Sequence, residues 1–237
     1  MLLDIITFYD LELLKKPKAI FSPNTCKVRM AMNFKNIPYS TEWVNFGNIK
    51  QVIPPITKLE KRPTVPIIID SNKNVVVDSW NIAQHLEELY PNSPSLFSQN
   101  KNAHTSFHKY ADNHIIMPLF RLIILKIHKF CGPPELQDWY RKDREKTLGV
   151  TLECFAGKTD DNIVELRQSL IPVDKILQNH PFLTGNQLGW ADIVLASYFV
   201  FLEGLDSKMF EIAVLSTFGI ENTHIRSWWK IMQKYIY

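Results

Sequence analysis

The sequence is poor in cysteine, which narrows the kinds of protein it encodes. Only Cys26, Cys131 and Cys154 occur among 237 residues, they lie far apart, and no two form a Cys-x-x-Cys pair. Three such residues build neither a disulfide framework nor, by themselves, a structural zinc site. We therefore expect a reducing compartment, and the chain is predicted to be cytoplasmic and to hold no metal.

The sequence also lacks a strong excess of charge and a long apolar run. Lys and Arg total 27 against 24 for Asp and Glu, a formal net charge of +3, which is too small to indicate nucleic acid or an acidic membrane surface as a partner. No apolar run reaches the roughly 18 residues of a membrane span. The opening MLLDIITFYD lacks the basic-then-apolar order of a secretory signal. With 46% hydrophobic residues, the chain is expected to fold as a soluble intracellular protein.

Strand and helix signals alternate in the first half of the N-terminal region. Residues 2–9 form a β-prone apolar run. Ser22 and Pro23 then stand at the head of a helical pattern, as an N-cap and a first-turn proline do. The run YSTEWVNF, rich in β-formers, follows that helix. The order predicted so far is β-α-β.

The second half of this region predicts a hairpin and another helix. Residues 49–61 are polar and broken by prolines, which indicates a loop or an irregular helix. The runs TVPIIID and VVVD, joined by SNKN, indicate two antiparallel strands. Asp78 and Ser79 then open a helix that Pro91 stops.

Strand signals nearly vanish after the segment PNSPSLF, which has the composition of a linker. The sequence shows no repeat of fixed period and no low-complexity tract. We therefore expect an α/β domain over residues 1–97 and an all-α domain over residues 98–237. Helical patterns in the second part cover residues 102–130, 134–154, 161–178, 190–202 and about 223–235.

Three local motifs resemble those of the glutathione transferases. They are SPNTCKVR, which starts at Ser22, the tripeptide TVP at residues 64–66, and the pair Asp78 and Ser79. SPNT after a long first connection and TEWV in the second strand are most similar to the fungal serine-type FuA class and its bacterial β-etherase relatives. The resemblance implies a thioredoxin-like N-terminal domain that binds glutathione. It further implies a C-terminal helical bundle that forms a hydrophobic substrate pocket.

The resemblance assigns the catalytic role to Ser22. Its hydroxyl would donate a hydrogen bond to the glutathione sulfur and keep it as thiolate, the nucleophilic form. The interpretation from the residue alone is simpler, since Ser at a helix start is most often an N-cap. Val65 and Pro66 would form a cis peptide bond whose neighbouring backbone groups pair with the cysteinyl part of glutathione.

The two ends of glutathione are assigned to polar residues on loops and helix starts. Asp78 and Ser79 would bind the γ-glutamyl end, with Asp78 balancing its ammonium group. Arg62, beside Lys61, is a candidate for the glycyl carboxylate, although basic loop residues are usually only solvated.

Four further residues are considered for the substrate pocket. Cys26 lies one helical turn beyond Ser22, so it is either a small core residue or an auxiliary thiol in the pocket. Tyr110, His114 and Met117 are predicted to line the second-substrate pocket.

Two other groups of side chains receive a structural interpretation. His104, His108 and Asp112 share one helical face, but the partners needed to complete a metal site are missing from the sequence nearby. Trp residues at positions 80, 190, 228 and 229 are expected to be packing elements.

One motif departs from the family pattern. FLTGNQLGWAD resembles the folding motif ahead of the family's central helix, yet Gly189 stands where Ser or Thr is usual. Gly is a tolerable N-cap, and Asp192 at the third helical position is expected to reach the Gly189 N–H.

Two functions are consistent with the sequence. The first is glutathione transfer to hydrophobic electrophiles, with ether cleavage or peroxide reduction as variants, by a homodimer that holds no tightly bound cofactor. The second is a non-catalytic module of the same fold that binds glutathione, hydrophobic ligands or proteins. Thiol reduction through Cys26 is a third possibility.

Overall fold

A four-stranded mixed sheet forms the centre of the N-terminal part. The structure is a computed structural model and describes residues 5–98, 100–219 and 223–237. The strands are β1 (Ile6–Leu11), β2 (Tyr39–Val44), β3 (Ile67–Ile69) and β4 (Val75–Val77), in the spatial order β2-β1-β3-β4. Strand β1 runs parallel to β2 and antiparallel to β3, and β3 runs antiparallel to β4. This arrangement confirms the predicted thioredoxin-like half of the fold.

Alternate residues of β1 face two separate hydrophobic cores, as the period of two in a strand requires. Ile6 and Phe8 belong to the main core, which also contains helices α1 (Pro23–Phe34) and α3 (Ser79–Leu89). Tyr9 and Leu11 contact a smaller core on the opposite face, under α2 (Ile49–Thr57).

The C-terminal part is helical, as predicted. The helices are α4 (Lys101–His114), α5 (Ile116–Phe130), α6 (Pro134–Leu148), α7 (Leu152–Ala156), α8 (Thr159–Asn179), α9 (Trp190–Glu203), α10 (Ser207–Phe210) and α11 (His224–Met232), with a π-helical segment at Glu211–Leu215 and a 3-10 segment at Gln233–Tyr235. Helix α9 is buried from Trp190 to Leu202. It contacts α1 of the N-terminal part as well as α4, α5, α10 and α11. Among the residues described, no helix is both long and apolar enough to cross a membrane.

Several helix boundaries differ from the sequence prediction. The pattern over residues 102–130 is two helices that meet at Ile115, because Pro118 in the first turn of α5 lacks the N–H needed to bond back to the preceding turn. The pattern over residues 134–154 breaks at Gly149, which adopts φ +75°. Residues 49–61 contain helix α2, which includes Pro54 and Pro55. Neither α10 nor the π-helical segment was predicted from the sequence.

Candidate functional site

Ser22 occupies the N-cap position of α1 but does not use its hydroxyl as a cap. Its backbone is extended, with φ −69° and ψ 121°, and no capping hydrogen bond reaches its side chain. Its carbonyl oxygen accepts hydrogen bonds from Cys26 N–H at 2.9 Å and Thr25 Oγ1 at 3.2 Å. Ser22 is 7% exposed, and its residual surface lies in the two clefts described next. The hydroxyl is therefore available to donate to a molecule bound in either cleft.

The first of these, the polar cleft, has a volume of about 660 Å³ including space open to solvent. Its polar lining residues are Ser22, Asn24, Lys50, Arg62, Thr64 and Arg144. Its other walls are Leu11, Phe46, Ile49, Pro63, Val65 and Trp139. Three of these twelve side chains are cationic and none is acidic, so the cleft favours an anionic molecule.

The second, the apolar cleft, lies on the other side of Ser22 and has a volume of about 710 Å³ including space open to solvent. Half of its twelve lining residues come from the helical part, namely Ile116, Phe120, Ile127, Tyr140, Arg144 and Phe201. Phe21 and Pro23 belong to the N-terminal part, as do four residues that it shares with the polar cleft. The two clefts share a wall formed by Leu11, Ser22, Asn24, Phe46 and Arg144.

The segment before β3 connects the polar cleft to the start of α3. The Val65–Pro66 peptide bond is cis, as predicted, and Val65 lines the polar cleft. The Pro66 carbonyl accepts a hydrogen bond from Asp78 N–H at 3.4 Å. Asp78 adopts φ +77°, and its Oδ1 accepts from Trp80 N–H at 3.0 Å and Asn81 N–H at 3.3 Å. Asp78 therefore caps α3.

Ser79 and Arg62 differ in their surroundings. Ser79 is buried at the first position of α3, and neither it nor Asp78 is among the residues that line the two clefts. Arg62 lines the polar cleft and donates to Asp143 Oδ2 of α6 at 2.7 Å, in an ion pair that joins the two parts of the chain.

The residues assigned to the second-substrate pocket lie outside the lining of the apolar cleft, and their role stays a prediction. Cys26 is fully buried in the main core, where burial raises the pKa of its thiol. Tyr110 donates to the Ser169 carbonyl at 2.7 Å and stacks on His114. Met117 is 37% exposed and, like Tyr110 and His114, lies outside the cleft lining.

A buried lysine joins the N-terminal part to the helices. Lys27 is 2% exposed, and its Nζ donates to Asn24 Oδ1 at 3.1 Å and to the Tyr198 hydroxyl at 3.3 Å. The same Nζ lies 3.3 Å from His108 Nε2, and Tyr198 in turn donates to Asp112. Burial lowers the pKa of Lys27 to about 8, while burial and the Lys27 charge lower the pKa of His108 to about 4. His108 is therefore neutral at physiological pH.

His104 and the tryptophans pack the interior. His104 is fully buried, and its Nδ1 accepts from Ala191 N–H at 3.1 Å. In the part of the chain that the structure describes, no cluster of three or more His, Cys, Asp or Glu side chains is arranged to hold a metal ion. The predicted packing role of the tryptophans is confirmed, since three of them are at most 2% exposed and Trp80 packs on Phe97 and Trp190.

Comparisons with known protein families match both parts of the chain. The family model described as glutathione S-transferase, N-terminal domain, matches residues 18–94, and the model described as glutathione S-transferase, C-terminal domain, matches residues 103–235. The chain belongs to the glutathione S-transferase family.

Within that family the chain resembles fungal FuA enzymes, as predicted. It is 29% identical to glutathione transferase GSTFuA3 from Phanerochaete chrysosporium, with 98% of each chain covered and a TM-score of 0.86. GSTFuA2 from the same fungus is 28% identical, with 98% of each chain covered and a TM-score of 0.83. A glutathione S-transferase of zeta class from Euphorbia esula is 27% identical over 180 residues, which are 71% of this chain and 67% of that protein.

Sequence reasoning missed several residues that line the clefts. Asn24 and Phe46 belong to the motifs that carried the resemblance, yet nothing in those motifs shows which way their side chains point. Trp139 and Arg144 lie on α6, more than one hundred residues from Ser22. Their position depends on how the helices pack, for which a helical pattern gives no signal.

Proposed function

We propose that this protein is a glutathione transferase in which the Ser22 hydroxyl holds the glutathione sulfur as thiolate for attack on hydrophobic electrophiles. The observation that carries the proposal is that Ser22 lies on the wall between a cationic cleft and an apolar one, with a hydroxyl that α1 does not use as a cap. Glutathione, a tripeptide anion, matches the first cleft, and a hydrophobic co-substrate matches the second.

The Ser22 hydroxyl and the N-terminus of α1 together can supply the free energy that ionisation of the glutathione thiol requires. A thiol with a pKa near 8.5 is only about 3% ionised at pH 7, and lowering the pKa by ~2 units, about 2.7 kcal/mol, makes the thiolate the main form. A hydroxyl that donates to a charged acceptor contributes roughly 1.5–3 kcal/mol. The N-terminus of α1 contributes about 0.3–1 kcal/mol more.

The reaction then needs no base from the protein. Glutathione gives its thiol proton to water, and the thiolate attacks the electrophilic carbon and forms the new C–S bond. The leaving group departs with the electron pair of the bond that breaks. Ser22 acts as a hydrogen-bond donor throughout and forms no covalent intermediate.

The proposed placement of glutathione uses the residues around the polar cleft. Val65 supports the cysteinyl part, because it lines the cleft immediately before the cis Pro66 and ahead of the β3 ladder. Arg62 is placed against the glycyl carboxylate. Asp78 and Ser79, at the start of α3, are placed against the γ-glutamyl end. The protein is proposed to act as a homodimer, which light scattering would test.

The decisive experiment compares Ser22→Ala with Ser106→Ala, a substitution at an exposed position of α4. Calorimetry measures glutathione binding, ultraviolet absorbance of the thiolate measures the pKa of bound glutathione, and a panel of aromatic electrophiles measures turnover. We expect Ser22→Ala to bind glutathione with similar affinity, to raise the thiol pKa by about 1–2 units, and to lose most of the turnover.

Three results would contradict the proposal. Equal rates for Ser22→Ala and Ser106→Ala would remove Ser22 from the mechanism. Glutathione binding without turnover on any electrophile would favour the non-catalytic module. An absence of glutathione binding would exclude the transferase and leave only a module that binds hydrophobic ligands or proteins.

A further inference from the structure

Among the described residues, Arg144 is the only charged side chain that lines the apolar cleft. The side chains around it are aliphatic or aromatic, apart from Ser22, Asn24 and the phenol of Tyr140. No acidic residue is among them. The Arg144 side chain is 25% exposed, so its guanidinium can meet an anionic group in the cleft and form charge-assisted hydrogen bonds that a neutral molecule does not offer.

The contacts of Arg144 leave its charge poorly compensated. Its nearest carboxylate oxygen, Asp143 Oδ2, is 3.8 Å away, and the same oxygen accepts from Arg62 at 2.7 Å. The Nε atom of Arg144 is buried and has no hydrogen-bond partner within the described residues. The guanidinium lies 5.3 Å from the ring centroid of Tyr140, which stands one helical turn before it on α6.

Tyr140 adds a neutral donor beside this cation. Burial raises the pKa of its hydroxyl to about 12, against the opposing effect of Arg144. The phenol therefore keeps its proton at physiological pH. Arg144 and Tyr140 both line this apolar space, the first as a cation and the second as a neutral phenol, and side chains of these two kinds are able to donate to a carboxylate.

We propose that Arg144 is a specificity-determining residue that selects hydrophobic electrophiles carrying an anionic group, and that the preferred acceptor class is aromatic carboxylic acids with an electrophilic ring carbon. The ring would lie among Ile116, Phe120 and Phe201, and the carboxylate would meet the guanidinium. This inference rests on the proposed transferase function and deepens it. Because Arg144 also lines the polar cleft, it stands between the two molecules that react.

A matched pair of substrates tests the inference. A chlorodinitrobenzoate and its methyl ester share the ring and the leaving group and differ in charge. With either, the glutathione thiolate forms a C–S bond at the carbon that bears chlorine, chloride leaves with the electrons of the C–Cl bond, and the thiol proton goes to water. The quantity measured is the ratio of kcat/KM for the carboxylate to kcat/KM for the ester.

Three variants separate charge recognition from a structural role. Arg144→Gln removes the charge, Arg144→Lys keeps the charge without the planar fork, and Arg141→Gln removes a charge from the same helix at a residue that pairs with Glu145 and Glu153 outside the clefts. We expect the ratio to fall by roughly tenfold to a hundredfold in Arg144→Gln, the loss typical of a charge-assisted hydrogen bond. We expect a smaller fall in Arg144→Lys and the parent ratio in Arg141→Gln.

The ratio is independent of the fraction of folded enzyme, so partial unfolding of a variant does not affect the outcome. An unchanged ratio in Arg144→Gln would overturn the inference, and so would an equal fall in Arg141→Gln. If the parent protein turns over both substrates, the proposed function stands whatever the ratio. If it turns over neither, the inference fails, and the proposed function fails with it only if the panel of aromatic electrophiles also gives no turnover.

Discussion

The backbone of Gly189 lies directly against the imidazole of His104. A Cβ atom at position 189 would overlap Cε1 of His104 and lie 2.8 Å from the carbonyl oxygen of Leu96. Asp192 accepts from the Gly189 N–H at 3.2 Å, which confirms the predicted cap. The missing hydroxyl residue is thus explained by the close approach of α4 to the start of α9.

We predict that Gly189→Ser destabilises the protein although Ser is a better N-cap. Overpacking costs about 1–3 kcal/mol, more than the few tenths that separate Ser from Gly as a cap. The free energy of unfolding from denaturant titration measures the effect. Replacing His104 by Ala in the same chain should remove part of the clash, so a double-mutant cycle should show coupling between the two positions. A Gly189→Ser variant as stable as its parent would contradict this account.

Lys27 should make stability depend on pH in the alkaline range. Its pKa is about 8 in the folded chain and about 10.4 in an unfolded one. Between these values the unfolded state binds a proton at Lys27 that the folded state does not, so the contribution of Lys27 to the free energy of unfolding should rise with pH, by at most about 1.4 kcal/mol per unit.

Lys27→Met should lack this rise. The groups that face Lys27 are Cys26, Asp78, His108, Asp112 and Tyr198. His108 is already neutral, and burial raises the pKa of Cys26 and of Tyr198. The buried thiols of Cys26 and Cys131 affect parent and variant alike, so denaturant titrations at several pH values between about 8 and 10 should show a more positive slope in the parent than in the variant. If the free energies of unfolding of the parent and the variant change with pH in parallel, Lys27 stays protonated in the folded protein.

Asp78 caps α3 and is also proposed to bind glutathione. Substitutions by Asn and by Ala separate these two roles. Asn keeps an oxygen that accepts from the N–H groups of α3 and tolerates φ +77°, whereas Ala does neither. Asp78→Ala should lose about 1–2 kcal/mol of stability, and Asp78→Asn should remain close to the parent. Calorimetry should show weaker glutathione binding in both, since both lose the carboxylate that we place near the ammonium group. Full affinity in a stable Asp78→Asn variant would exclude that placement.

The three cysteines should differ sharply in reactivity. Cys154 is exposed, whereas Cys26 and Cys131 are buried and burial raises the pKa of both thiols. Alkylation of the native protein should add one label, at Cys154, and alkylation after unfolding should add three. Incubation with oxidised glutathione should give no adduct at Cys26, which intact mass and peptide mapping would show. Labelling of Cys26 in the native state would contradict this prediction and support thiol reduction through Cys26.

Local signals in the sequence predicted local structure well. Ser22 and Pro23 mark the start of α1, and the polar turn between two β-branched runs marks the hairpin of β3 and β4, because these features depend on neighbours in the chain. The helical pattern over residues 102–130 continues through Pro118, whereas the structure has a break at Ile115. Pro118 would lose a hydrogen bond inside one continuous helix but loses none in the first turn of α5, a difference that the spacing of apolar residues does not reveal.

The lining of the apolar cleft could not be predicted from the sequence, for a different reason. Tyr110, His114 and Met117 were assigned to it by resemblance, yet the faces of α4 and α5 that meet Ser22 depend on how these helices pack against α9 and α6. Arg144 reaches the cleft only because α6 crosses beside Phe46. Contacts between residues about one hundred positions apart follow from the whole path of the chain, which no short pattern encodes.

The wall shared by the two clefts has a consequence for the end of the reaction. Leu11, Ser22, Asn24, Phe46 and Arg144 border both spaces. A conjugate of glutathione and an acceptor is one molecule that occupies both, so it keeps the contacts of both reactants while losing translational freedom only once. Release of the conjugate would then be slow, and the conjugate would inhibit competitively against each reactant.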